Sequence, residues 1–196
     1  MRYIPWVPFT EDHSARHSVL ATARRTADLI NALAGDGAAG PEEIAALLRA
    51  HGETDPLDLT PGDVAGMRQA AARLREVFAA EDTDTAATVL NRLLRDHTGP
   101  LRLTSHGGDT PWHPHLDSDD DAPWDEWFLA SSCMALAVLV WDRRRPPGGV
   151  CASPRCPNVF LAQGSGAERR YCSRRCATRE RVAAHRRAHA EAPPTA

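Results

Sequence analysis

Residues 151–176 read CASPRCPNVFLAQGSGAERRYCSRRC and contain four of the five cysteines in the chain. The four form two close pairs, Cys151 with Cys156 and Cys172 with Cys176. Each pair can supply two thiolates from one turn, and the roughly fifteen residues between the pairs can fold back so that they meet around a tetrahedral Zn²⁺. Four thiolates leave no coordination position for a catalytic water, so such an ion holds structure. We therefore predict a structural zinc site at these four cysteines.

Two other interpretations of the cysteines remain open. The pairs could be disulfides or unrelated buried thiols, although a reducing compartment disfavours disulfides. The fifth cysteine, Cys133, lies in the longest apolar run, from Trp127 to Trp141. We expect it to be a buried, inert thiol rather than a redox sensor.

Positive charge is concentrated around and after the cysteines. Residues 143–190 contain twelve Arg and two acidic residues, a balance of +10, so the rest of the chain carries −13. A chain divided in this way favours an anionic partner for its basic half, most often nucleic acid. A helix from Arg174 to about His189 would hold Arg175, Arg179 and Arg186 within about 40° of one another. The alternative is a basic helix face exposed to solvent without a partner.

These features resemble the CGNR-type zinc finger, in which two cysteine pairs precede a basic helix. The matching positions are Cys151, Cys156, Phe160, Arg169, Arg170, Tyr171, Cys172, Ser173 and Cys176. The tetrapeptide that names the family appears as Cys176-Ala-Thr-Arg179, which keeps the cysteine and the arginine but not the glycine and asparagine. The resemblance implies a sequence-specific DNA-binding regulator, with Phe160 and Tyr171 in the small core of the finger. The residues expected at the DNA are Arg169, Arg170, Arg174, Arg175, Arg179, Arg181, Arg186 and Arg187.

The first 146 residues indicate helices and one β-hairpin. Apolar periodicity predicts helices from about Ser14 to Leu33, from Pro41 to about Ala50, from Pro61 to about Ala80, from Asp84 or Thr85 to before Gly99, and from Trp124 to about Arg143. Alternation in Leu101–Thr104 and Trp112–Leu116 predicts two paired strands. We expect a mainly α, α+β fold: a helical and hairpin domain at 1–146, a finger at 147–190 joined by the linker Pro146–Gly149, and a disordered tail at 191–196.

This order of elements resembles the ABATE domain that accompanies CGNR fingers, best from about Val89 to Trp141. The resemblance implies a stress-induced transcription regulator whose N-terminal domain senses a small-molecule ligand or mediates homodimerisation. A dimer is expected because one small finger buries too little surface to be specific alone. The alternative is a zinc-stabilised module that binds RNA or an acidic protein surface.

A second set of metal-binding residue types lies in the hairpin, where His106, His113 and His115 precede the acidic residues Asp117 and 119–121. They could bind a metal, but we expect a polar hairpin face and a solvated acidic loop. Nothing else in the sequence supplies a nucleophile or a phosphate-binding loop, so we expect no enzyme. With no apolar signal segment near Met1, we also expect a soluble, cytoplasmic protein without membrane contact.

Overall fold

Six α-helices and two small antiparallel hairpins form the described part of the chain. A computed structural model describes residues 19–35, 39–162 and 169–190. The predictions for residues 1–18, 163–168 and 191–196, which include the tail, fall outside the described residues. The helices are α1 Val19–Leu33, α2 Pro41–Ala50, α3 Pro61–Ala79, α4 Thr83–His97, α5 Trp124–Arg143 and α6 Arg174–Ala190. The strands are β1 Arg102–Thr104, paired with β2 His113–His115, and β3 Gly148–Val150, paired with β4 Val159–Leu161. The predicted mainly α, α+β fold is confirmed.

Local sequence signals set the helix starts. The Thr60 hydroxyl accepts a hydrogen bond from the Asp63 N–H at 3.2 Å, and the Asp63 carboxylate accepts one from the Thr60 N–H at 2.8 Å. This capping box, followed by Pro61, begins α3 where it was predicted. The cap of α4 is Asp82, whose carboxylate accepts from the Thr85 N–H at 2.7 Å. The helix therefore begins at Thr83, slightly earlier than predicted.

Helix α5 is the centre of the helical part. It packs against α1, α3 and α4, and its residues Phe128, Cys133 and Leu136 are fully buried. Burial raises the pKa of the Cys133 thiol to about 12, which keeps it protonated and agrees with an inert core thiol. Among the described residues, no helix combines the length and apolarity that crossing a membrane requires.

The first hairpin carries an ion-pair network to the acidic loop. Arg102 lies opposite His115 in the register, and its guanidinium donates to Asp117 at 2.6 Å and to Asp120 at 2.7 Å. The Thr104 hydroxyl donates to the other Asp120 oxygen at 2.7 Å. Two of the acidic loop residues are therefore fixed against the hairpin, where the sequence indicated a solvated loop.

The second hairpin packs on the helical part. Val159 and Leu161 belong to the same buried apolar cluster as the helices. The side-chain amide of Asn31 donates to the Val159 carbonyl at 3.1 Å and accepts from the Val159 N–H at 2.7 Å. Residues 148–149, predicted as linker, begin β3, where a Cβ on Gly148 would lie 1.8 Å from the Phe160 carbonyl oxygen. The division at residue 146 stays a prediction, while the residues on both sides share a core.

We predict that Asn31→Ala destabilises the protein by about 1–3 kcal/mol, because it leaves the buried N–H and carbonyl of Val159 without partners. Urea unfolding followed by tryptophan fluorescence measures the loss. Asn91→Ala, at an exposed position of α4, is the control and should stay within about 0.5 kcal/mol of the wild type. Equal stabilities for the two variants would contradict the proposed role of Asn31.

Candidate metal centre

The four predicted cysteines meet at one point. Their sulfur atoms all lie within 4.8 Å of one another, and the distances from Cys172 Sγ are 3.5 Å to Cys156 Sγ and 3.7 Å to Cys176 Sγ. All four are free thiols, and a disulfide would bring the sulfurs to about 2.05 Å. Sulfurs at about 2.3 Å from a tetrahedral ion are about 3.8 Å from one another. The donor set and its spacing therefore fit a metal ion.

Backbone hydrogen bonds hold the two cysteine pairs together. The Cys156 N–H donates to the Ser153 carbonyl at 2.9 Å, which closes the turn of the first pair. The Ala152 N–H donates to the Arg170 carbonyl at 2.8 Å, which joins the first pair to the segment before the second. The Cys176 N–H donates to the Ser173 hydroxyl at 3.2 Å, at the start of α6. Cys176 thus lies in the first turn of the basic helix, as predicted.

The thiols differ in how readily they release a proton. Burial, together with the neighbouring thiols, raises the pKa of Cys172 to about 12, and burial also raises the pKa of Cys156. A hydrogen bond from the Ser173 side chain lowers the pKa of Cys176 to about 7. Since a metal binds thiolates, its binding must displace the remaining protons.

Arg179 lies against the cluster. Its guanidinium donates to Ser153 Oγ at 2.6 Å and to Cys176 Sγ at 3.6 Å. Ser153 is buried and donates to the carboxylate of Glu180. Four thiolates around a divalent ion carry a net charge of −2, and the guanidinium offsets part of it. Arg179 was predicted as a DNA contact, and no local sequence pattern indicates its contact with the Cys176 sulfur.

We predict that Arg179→Ala lowers the affinity for the finger's metal about 10- to 100-fold, as removal of groups that support metal ligands does. Competition with a chromogenic chelator gives the affinity. Arg175→Ala is the matched control, because Arg175 is exposed and makes no hydrogen bond or ion pair with the described residues. An unchanged affinity in Arg179→Ala would show that its contact with Cys176 is incidental.

Six arginines of α6 are exposed. Five of them make no hydrogen bond or ion pair within the described part of the chain: Arg174, Arg175, Arg181, Arg186 and Arg187. By contrast, Arg169 lies over the Phe160 ring at 5.0 Å and donates to the Tyr171 carbonyl at 2.8 Å. Arg170 is exposed, 5.9 Å from the Tyr171 ring. The structure thus separates the predicted arginines into a free set on the helix and a set engaged near the cysteines.

The structure also brings His106, His113 and His115 together on the first hairpin. A cavity of about 490 Å³ lies between this hairpin, α1 and α5. It is lined by the buried Arg25, which pairs with Glu53 and lies 4.3 Å from the Trp127 ring centre. Sequence reasoning missed Arg25 and Glu53, since an arginine within a helix and a glutamate in a turn carry no local signal of burial.

Two family models match the chain. Residues 149–189 match the CGNR zinc finger, which spans β3 to α6. Residues 23–143, more than half of the chain, match ABATE, described as "Putative stress-induced transcription regulator". The chain belongs to the ABATE family. The ABATE match covers most of α1, all of α2 to α5 and the histidine hairpin, and the CGNR match contains the cysteine cluster. Neither is an enzyme family, and a comparison with curated proteins found no match.

Together, the matches and the geometry describe a metal-binding regulator. The predicted architecture, an ABATE domain followed by a CGNR finger, is confirmed. The four cysteines of the finger form a metal-binding site.

Proposed function

We propose that the protein is a zinc-dependent, DNA-binding transcriptional regulator. The observation that carries the proposal is the position of Cys176, which joins the four-thiol cluster to the first turn of a helix with six exposed arginines, five of them unpaired among the described residues. A metal at the cluster fixes the direction of that helix relative to the rest of the finger. A basic helix held in this way can enter a groove of DNA.

Zinc is the ion that the donor set favours. Four thiolates in tetrahedral spacing select zinc or iron–sulfur chemistry, and zinc is the usual ion in a single four-cysteine site. Cys151, Cys156, Cys172 and Cys176 are the proposed ligands, and the ion is structural. Reduced thiols of this kind persist in the cytoplasm, where we place the protein.

The free arginines are the proposed DNA contacts. The guanidinium groups without a partner among the described residues are those of Arg174, Arg175, Arg181, Arg186 and Arg187. Guanidinium groups bind phosphate oxygens and the O6/N7 edge of guanine. Arg170 is placed at the DNA backbone. Arg169 and Arg179 are also proposed to lie at the DNA, in addition to making their contacts within the finger.

The helical part is proposed to regulate the finger. The cavity of about 490 Å³ has the size of a small-molecule site, and its walls combine Trp127 with the buried Arg25. The shared core at Val159 and Leu161 connects this part to the finger. Homodimerisation would supply the second half-site that a short basic helix needs for specificity.

Selection of bound sequences from random duplex DNA, followed by gel-shift titration, tests the proposal. We expect a defined motif and an affinity that falls steeply with salt, by about 0.9 log units per log unit of salt for each phosphate neutralised. Duplex DNA, single-stranded RNA and heparin are compared at equal ionic strength. Preference for RNA, or equal binding to heparin, would favour the alternative module and overturn the proposal.

A further inference from the structure

The three histidines of the first hairpin form a second cluster, separate from the cysteines. His113 Nε2 lies 3.2 Å from His106 Nε2 and 3.0 Å from His115 Nε2. His113 and His115 lie two residues apart on β2, so their rings share one face of the hairpin. The turn after β1, in which His106 has a φ of 48°, brings the third ring over that face.

The outer nitrogens of the rings fix where the protons are. His113 Nδ1 lies 2.8 Å from the Pro111 carbonyl oxygen, which can only accept, so Nδ1 carries the proton. His115 Nδ1 lies 2.9 Å from both carboxylate oxygens of Asp117, and His106 Nδ1 faces Asp120 at 3.4 Å. In the neutral form each ring then has its lone pair on Nε2. Three lone pairs thus converge, and a cation between them would turn this arrangement into an attractive one.

We propose that His106, His113 and His115 bind a divalent transition-metal ion through their Nε2 atoms. Metal–nitrogen bonds of about 2.0–2.1 Å in a tetrahedron put the nitrogens about 3.3 Å apart, close to the distances observed. Imidazole donors suit zinc, copper, nickel and iron. The proposal goes beyond the DNA-binding function and does not depend on it.

The groups behind the rings complete a metal site. Ligand histidines characteristically donate their second N–H to a carboxylate or a carbonyl, which orients the ring and strengthens its donor atom. Here Asp117, which is 2 % exposed, holds His115 and is itself held by Arg102. These hydrogen bonds restrict the His115 ring before any ion binds.

Three protein ligands leave a coordination position open, and the cavity lies beside it. All three histidines line the cavity of about 490 Å³, as does Arg25, whose buried Nε has no hydrogen-bond partner among the described residues. A metal ion with an open coordination position at this cavity suits a small molecule with an anionic donor group, such as a carboxylate. The open position would be taken by that group or by water.

Counting metal per chain tests the proposal. The full-length protein is incubated with excess Zn²⁺ or Co²⁺, desalted, and measured by elemental analysis. We expect two ions per chain for the wild type and one for His113→Ala, whose ring is held by a backbone carbonyl and is therefore the least disruptive to remove. His97→Ala, which removes an exposed imidazole at the end of α4, is the matched control and should keep two.

A cobalt spectrum shows which site the remaining ion occupies. Retention of the sulfur-to-cobalt charge-transfer bands in His113→Ala would place that ion at the cysteines and support the proposal. One ion per chain in the wild type would overturn the proposal whatever the variants do, and so would two ions in a folded His113→Ala.

Discussion

Cys172→Ser should remove one metal ion per chain and unfold the segment from residue 169 to the end of α6. Cys172 Sγ lies near the other three sulfurs, so losing it opens the coordination sphere. Structural zinc contributes about 10–16 kcal/mol of apparent binding free energy in zinc-finger peptides. Among the described residues, the segment from residue 169 onward has little else to stabilise it, because Val182 is exposed and only Phe160 and the half-buried Tyr171 supply large apolar surface near α6.

The loss of structure in Cys172→Ser should not extend to β4 or to the helices on which β4 packs. Since Val159 and Leu161 pack in the helical core, hydrogen exchange should increase in 169–190 while α1, α3 and α5 keep their protection. DNA binding should disappear with the order of α6. A chelator added to the wild type should reproduce both effects.

Cys133→Ala is the matched control for the cysteine variant. It removes a buried thiol that has no part in the cluster and should leave the metal content and DNA binding unchanged. Its stability should fall by about 1 kcal/mol, through loss of packing alone. Full metal content in Cys172→Ser, or protection of α6 in the metal-free protein, would refute the role given to the cluster.

Neutralising four of the five free arginines of α6 should reduce the salt dependence of DNA binding. In the variant with four glutamines, the slope of log affinity against log salt should become shallower by about 3–4, if each arginine neutralises one phosphate. Between 50 and 200 mM salt the wild type should therefore lose about 10²-fold more affinity than the variant. The four replaced residues are Arg174, Arg181, Arg186 and Arg187.

A second variant, which loses the same number of positive charges elsewhere, tests whether the position of the arginines matters. Four exposed arginines outside the finger, Arg49, Arg68, Arg92 and Arg95, are replaced by glutamine in the control. The slope of log affinity against log salt for this control should equal that of the wild type. Fluorescence anisotropy at several salt concentrations measures the slopes of both variants. Equal slopes for the two variants would mean that net charge, not α6, governs binding.

Most local features could be predicted from the sequence. The spacing of the cysteines predicted the cluster, and the Thr60–Pro61–Asp63 pattern predicted the start of α3. The alternating residues around His113 predicted the first hairpin. Each of these signals lies within a few residues, where periodicity, capping and turn chemistry act directly.

Contacts between distant segments could not be predicted in this way. Asn31 meets Val159 across 128 positions, and three apolar residues at Val159–Leu161 are too few to indicate a shared core. Arg179 was predicted only as a DNA contact, because its contact with Cys176 depends on the fold of the finger. The three hairpin histidines could be identified in the sequence as possible metal ligands, but their convergence depends on the turn that carries His106.

Diffraction from a crystal of the metal-replete protein, measured at the zinc absorption edge, would show whether the four cysteines hold zinc. We predict an anomalous peak at about 2.3 Å from the sulfurs of Cys151, Cys156, Cys172 and Cys176, with α6 leaving the site at Cys176. Density without a peak there, or sulfurs joined in pairs at about 2.05 Å, would contradict it.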